Sequence, residues 1–383
     1  MVRLKYVIEA VLALLIRVFH LLPLKRKQVF FSAFSGRQYS DSPKRISEYL
    51  LNVNPEIKQV WAFCEPEKFA FLKEKGITVV KYKSFAHIKY ALTSKVYVDN
   101  VEFWSLLRFR KSQMVVETWH GGGAYKRIGG DRIDVGGAER QHAVDKMNRT
   151  TLFLSSSTAF TENVINTAYH YKGDVLEVGL PRNDELMQPH EEFRAEMREK
   201  LGLSTDAKVV IYAPTFRNSH NTELYNVDFK RLRESLSARF GGEWIVLLRM
   251  HYYIAARLKG AGDDKAVIDV SDYSDMQDLL RLADVLVTDY SSTVWDFSLM
   301  HRPCFLYATD VEDYQGERNF YMPIGEWPFP LAENNDQLEK IISTFDEVKY
   351  LQDVEHHHDV LGSRETGEAT KRTCEKIIEF IGG

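Results

Sequence analysis

Short apolar runs, each bounded by turn residues and followed by a stretch with helical periodicity, recur along most of this chain. That alternation is the rhythm of βα units, and it is buried best by a parallel sheet with helices on both faces. In the first half, strands are predicted at Gln28–Ser32, Gln59–Cys64, Thr78–Lys81, Lys95–Asp99, Met114–Thr118 and Thr151–Ser155, with helices near Pro43–Asn52 and Pro66–Lys75. In the second half, the strands are Asp174–Val178, Lys208–Ala213, Trp244–Met250, Val285–Thr288 and Cys304–Tyr307. The helices there fall near Glu191–Leu201, Asp228–Phe240, Met276–Ala283 and Thr293–Met300.

The chain has 383 residues, 44% hydrophobic and 27% charged, which exceeds one ordinary core and divides naturally into two α/β domains. We place them at 28–180 and 181–365. The boundary falls in GLPRNDELMQPHEE, where a glycine and two prolines interrupt regular structure. Residues 366–383, amphipathic from Glu368 to Ile381, are expected as a carboxyl-terminal helix packing back toward the first domain.

Fifty basic residues stand against 54 acidic ones, a net charge of -4. Such a balance provides no global field for a nucleic-acid backbone, so no nucleic-acid partner is expected. Cys64, Cys304 and Cys374 lie far apart, which suits a reducing compartment and argues against a disulfide framework or a thiolate zinc site.

Residues 1–27 form a separate hydrophobic segment with Arg3 and Lys5 at one end and Lys25, Arg26 and Lys27 at the other. Glu9, Arg17 and His20 interrupt it and Pro23 closes it, so a spanning helix is the second choice. No small-residue cleavage site follows, which disfavours a signal peptide. The favoured expectation is an interfacial membrane helix with its basic ends on anionic head groups; packing on the protein's own core is the plainer alternative.

Ligands of open α/β sheets bind at the carboxyl ends of the strands. Four strand ends, in three constellations, carry chemistry. The first is ETWHGGGAYKRIGG, Glu117 to Gly130. Here His120 is a candidate proton acceptor, Gly121, Gly122 and Gly123 allow close backbone approach, and Lys126 and Arg127 add positive charge. A tight βα turn would explain a lone His-Gly pair. The second is TDYSSTVWDF, Thr288 to Phe297, where Ser291, Ser292 and Thr293 open a helix and offer hydroxyls and free N–H groups to an anion. A single serine would satisfy simple N-capping, and Asp289 and Asp296 are candidates to orient neighbouring donors or meet a sugar hydroxyl. The third pairs APTFR with LRMHYY, bringing Arg217, Arg249 and His251 from adjacent strand ends as positive charge for a pyrophosphate. His356, His357 and His358 are adjacent, cannot all face one metal, and read as a solvated segment. The chain has neither a GxxxxGK[ST] loop nor a GxSxG elbow, so Walker-type hydrolysis and a lipase reading lack support.

Taken in order, WHGGGAYKRIG, GLPRND, APTFR, RMH and TDYSSTVWDFSLMHRPCFLYATDVEDY resemble the CDP-glycerol glycerophosphotransferase family, the teichoic-acid primases, polymerases and related capsule enzymes. The resemblance runs from about Val29 to about Tyr321 and takes in SGRQYSDSPKRISEYL. It implies a GT-B architecture of two facing Rossmann-like domains, the second holding a CDP-glycerol or CDP-ribitol donor. A lipid-linked glycan or polymer acceptor approaches the first, at the cytoplasmic face of the cell membrane. The family's two essential histidines match His120 and His251. Its donor-phosphate contacts match Ser291 and Ser292, with Thr293, Arg217, Arg249 and Asp289 beside them, while Asp41, Lys126, Arg182 and the three glycines fall on the acceptor side or its loops. Members usually have Thr-Pro or a small-small-Gly step after the histidine, where this chain has Gly-Gly-Gly. The implied reaction is transfer of an alditol phosphate to a hydroxyl with release of CMP; no cofactor is expected, and, since the sequence has no acidic cluster with metal spacing, no essential metal for holding the donor. A sugar transferase of the same architecture, and a binding module without activity, are the competing expectations.

Overall fold

The computed structural model describes residues 11–215, 222–250, 265–317 and 319–382. The chain divides into two compact units. One comprises Met1–Gly122, Arg127–Asp184 and Ser363–Gly383, and the other Gly123–Lys126 and Glu185–Gly362.

The first unit is built on seven parallel strands: β1 (Lys25–Phe31), β2 (Lys58–Phe63), β3 (Thr78–Lys81), β4 (Ser94–Asp99), β5 (Met114–Glu117), β6 (Leu152–Ser155) and β7 (Asp174–Glu177). Their order is β3-β2-β1-β4-β5-β6-β7. Alternation along each strand feeds two cores. Val29, Phe31, Trp61, Phe63, Val96 and Val98 face α1 (Asp41–Val53) and the carboxyl-terminal helix Ala369–Gly382, whose Cys374, Ile377 and Ile381 are buried with them. Phe30, Val60, Ala62, Tyr97 and Val115 face the other way, onto α2 (Phe85–Thr93). The run predicted helical at Pro66–Lys75 is a 3-10 segment, Pro66–Lys73, broken at Phe69. Between β5 and β6 lies α3 (Gly137–Met147).

The amino-terminal segment is helical over 11–15 and tightens to a 3-10 turn at Ile16–Leu21. One side packs: Ala13 and Phe19 are buried, and Arg110 donates to the Phe19 and Leu22 carbonyls. The other side exposes Val11, Leu14, Leu15, Val18 and Leu21. Among the described residues no helix is long and apolar enough to cross a membrane.

The second unit carries β8 (Lys208–Tyr212), β9 (Trp244–Leu248), β10 (Val267–Asp269), β11 (Val285–Thr288), β12 (Cys304–Tyr307) and β13 (Leu331–Ala332), ordered β10-β9-β8-β11-β12-β13 and all parallel. Its helices are α4 (Glu191–Leu201), α5 (Phe229–Phe240), α6 (Met276–Leu282), α7 (Thr293–Ser298), α8 (Val311–Glu317), α9 (Asn335–Ser343) and α10 (Glu347–Leu361). In both sheets the strand order reverses beside the first strand of the unit, at β1/β4 and at β8/β11. Those are the switch points where a doubly wound sheet opens to ligand.

The histidine triplet is not a solvated segment. Consecutive residues of a helix point about 100° apart, so on α10 His356 is exposed while His357 is buried and its Nε2 lies 2.9 Å from the Tyr125 hydroxyl. His358 Nε2 lies 2.8 Å from Ser298 Oγ. Burial, before the neighbouring histidines, depresses His357 to about 4, and burial and His301 do the same to His358.

Candidate active site

In the first unit the site grows from the ends of β1, β4 and β5. The chain leaves β1 through Phe34, Ser35 and Gly36, all with positive φ, and the Phe34 N–H donates to Asn100 Oδ1 at 2.8 Å. Asp99 ends β4 opposite Glu117 at the end of β5, and the Thr118 N–H continues that ladder to the Asp99 carbonyl. Trp119 then takes a left-handed φ of 56°, a conformation rare for an aromatic residue. His120 follows, its Nδ1 2.7 Å from the Asn100 carbonyl.

That hydrogen bond determines the proton's position. A carbonyl oxygen only accepts, so Nδ1 carries the hydrogen and Nε2 holds the lone pair. Burial pushes the imidazole below the ordinary histidine range; the Asn100 carbonyl and the Asp41 charge oppose it, and Arg182 adds to it. A half-buried histidine that is neutral at pH 7 with a free Nε2 is equipped to take a proton.

Asp41 and Arg182 meet beneath this histidine. Arg182 pairs with Asp41 Oδ2, and the same Nη1 donates to the His120 carbonyl at 2.7 Å. Both side chains are buried, so the pair joins the start of α1 and the GLPRND segment to the turn that carries His120. A buried pair of this kind is costly to break from one side, because the surviving charge is left uncompensated.

The glycine run divides. Gly121 and Gly122 stay with the first unit, whereas Gly123–Lys126 belongs to the second. There Tyr125 is buried against Trp327 and His357, its carbonyl accepts from the Tyr321 N–H at 2.9 Å, and Lys126 bridges to Phe320 and lies 5.6 Å over the Tyr314 ring.

At the second unit's switch point, Asp289 is buried and serves the backbone: its carboxylate accepts from Thr215 N–H at 2.9 and 3.0 Å and from Tyr290 N–H at 2.6 Å. The Ser291 and Thr293 hydroxyls bond each other, and Ser292 caps α7 through its backbone with no side-chain cap bond. Asp296 Oδ2 accepts from Gln277 Nε2 at 3.0 Å. Arg249 is turned to the β10 side, where Nη1 donates to the Tyr273 carbonyl, and burial lowers its pKa. Arg217 and His251 lie outside the described residues. The structure therefore brings His120, Asp41 and Arg182 together in one unit, and Asp289, Ser291, Ser292 and Thr293 together in the other. Asp99, Asn100, Glu117 and Thr215 are participants the sequence reading did not single out; DN at a strand end beside a switch point was the available signal. Among the described residues no group of three or more His, Cys, Asp or Glu side chains is arranged to hold a metal.

A family model described as CDP-Glycerol:Poly(glycerophosphate) glycerophosphotransferase matches residues 14–379. The teichoic acid glycerol-phosphate transferase of Staphylococcus aureus is 31% identical over 92% of this chain and 92% of its own length. A teichoic acid poly(glycerol phosphate) polymerase of Staphylococcus epidermidis is 30% identical over 94% of this chain, which spans about half of that longer relative. A structure of the wall teichoic acid polymerase TagF soaked with CDPG superposes with a TM-score of 0.83 at 28% identity, covering 99% of this chain and 97% of that one. On that match, across nearly all of its length, the chain belongs to the CDP-glycerol:poly(glycerophosphate) glycerophosphotransferase family.

Proposed function

We propose that this chain transfers glycerol phosphate from CDP-glycerol to a hydroxyl of a lipid-linked glycan or polymer acceptor, releasing CMP, in teichoic acid or related cell-wall polymer synthesis. The observation that carries the reading is His120, neutral and with Nε2 unprotonated, at the sheet end expected to meet the acceptor. As the acceptor oxygen attacks the glycerol-bearing phosphorus, its proton passes to Nε2. The bond from that phosphorus to the bridging oxygen breaks, and CMP leaves with the electron pair. Ser291, Ser292 and Thr293, with Arg217 and His251, are assigned to the donor phosphates, where charge stabilisation is the dominant contribution to phosphoryl transfer; Arg249, held by the Tyr273 carbonyl, is left out of that set. Asp289 supports them by fixing the Thr215 backbone. Two Rossmann-ordered parallel sheets are the components of a GT-B enzyme, and the reading uses them in that role. The exposed apolar side of residues 11–22 and the basic Lys25, Arg26 and Lys27 support work at the cytoplasmic membrane surface.

The test supplies CDP-glycerol, CDP-ribitol or a nucleotide sugar together with a lipid-linked disaccharide, and identifies the nucleotide released. CMP from CDP-glycerol, lost by about 100-fold or more in His120→Ala while CDP-glycerol binding is kept, is the expected result. Release of a nucleoside diphosphate from a nucleotide sugar would establish the sugar-transferase reading instead. Full transfer by His120→Ala would remove that histidine as the base.

A further inference from the structure

Two carboxyl groups end adjacent strands directly behind the catalytic turn. Asp99 and Glu117 are register partners on β4 and β5, and each is 1% exposed. A buried carboxyl is costly unless it performs a task, and both have one on the backbone. Asp99 Oδ1 accepts from the Asn100 N–H at 2.9 Å and the Val101 N–H at 3.1 Å, and Oδ2 accepts from the Tyr97 hydroxyl at 2.9 Å. Glu117 Oε1 accepts from the Trp119 N–H at 3.0 Å. Asp99 thus anchors the residue whose carbonyl receives His120 Nδ1–H, and Glu117 anchors the left-handed residue that turns the His120 ring toward it.

We infer that Asp99 and Glu117 are positioning residues which, by clamping Asn100 and Trp119, fix His120 as its Nδ1–H tautomer and leave Nε2 as the proton acceptor. The inference rests on the reading of His120 as the base. Burial drives Glu117 well above the ordinary carboxylate range, with Asp99 adding to it, and burial raises Asp99 to about 7. A protonated Glu117 still accepts through its carbonyl oxygen, so glutamine is its closest mimic. Methionine has similar length but offers no comparable acceptor to Trp119.

The experiment uses the full chain with ring-15N histidine, the His120 signals being identified by their absence in His120→Gln. At pH 7.5 the wild type and Glu117→Gln should show Nδ1 protonated and Nε2 bare. Glu117→Met and Asp99→Leu should show both tautomers, with kcat for CMP release reduced by about 100-fold and KM for CDP-glycerol unchanged. Glu117→Gln should restore most of that loss. A purely structural role would lower the melting temperature of Glu117→Met without altering the His120 tautomer. A folded Glu117→Met that keeps the Nδ1–H tautomer and wild-type kcat would overturn the inference. Failure of the base reading shows separately, as transfer by His120→Ala, and leaves the tautomer measurement to decide the positioning claim. If Glu117→Met does not fold, Asp99→Leu supplies the same tautomer and kcat readings.

Discussion

At the residue scale, one hydrogen bond settles which nitrogen of His120 carries the hydrogen. The Asn100 carbonyl fixes the hydrogen on Nδ1, and burial keeps the ring from charging. A base with a depressed pKa works when unprotonated, so activity should fall only on the acid side. The pH profile of kcat/KM for CMP release should rise through a limb centred below 6.5, the ordinary histidine value, and be flat from there to pH 8. A controlling limb above pH 7 would mean that a different group is titrating. His120 itself was legible because a strand end followed by three glycines has few structural uses. Asn100 and Glu117 were not, since their roles arise from β4 lying beside β5 in the sheet, and a spatial neighbour of that kind leaves no mark on local sequence. His356–His358 misled for the related reason that helix phase, not adjacency, determines exposure.

At the element scale, the central strands read most clearly, because β5, β6, β11 and β12 are apolar runs buried on both faces. What escaped was poorly punctuated. Helix α2 runs from Thr93 into Ser94 of β4 without an intervening turn residue. Helix α3 begins on Gly137 with Gly136 as its cap. Strand β13 has only two residues, so the βα rhythm that would have located α9 is faint there. The glycine run after His120 has its own logic. Gly123 has φ +78°, and an added Cβ would lie 2.3 Å from the Tyr125 ring and 3.0 Å from Trp295. Left-handed strain and overpacking together should cost about 2–4 kcal/mol in Gly123→Ala. Gly136, with nothing within 4 Å of its Cβ position and no positive φ, should lose only about 1 kcal/mol in Gly136→Ala, the cost of alanine at a helix cap. Urea unfolding of the two variants measures the contrast, and equal stabilities would contradict the close packing of Tyr125 over Gly123.

At the scale of the whole molecule, charge is nearly balanced, so association with a surface has to come from local features. The first unit displays one. Leu21 is 84% exposed and Phe85 72%, and Phe85 stands edge-on to Phe19 at 5.0 Å. Phe85, at the start of α2, thus stands beside the packed side of residues 11–22, while the exposed apolar side has Arg17, Lys25, Arg26 and Lys27 close in sequence. Scattered exposed apolar residues are ordinary, but a cluster of this extent marks a contact surface. Insertion into acyl chains depends on apolar area, and attraction to head groups depends on charge; only the second is screened by salt. On flotation with vesicles containing anionic lipid, the full chain should rise with the vesicles, partly resist elution at high salt, and bind neutral vesicles more weakly. Replacing Leu14, Leu15, Val18, Leu21 and Phe85 together by aspartate should leave it at the bottom of the gradient while the melting temperature changes little, because these side chains already face solvent. Phe85→Asp alone should weaken flotation less than the five-site variant, since Phe85 stands on Phe19, beside this face and not within it. Unchanged flotation of the five-site variant would show that this face is not the membrane contact, and the acceptor would have to reach His120 without it.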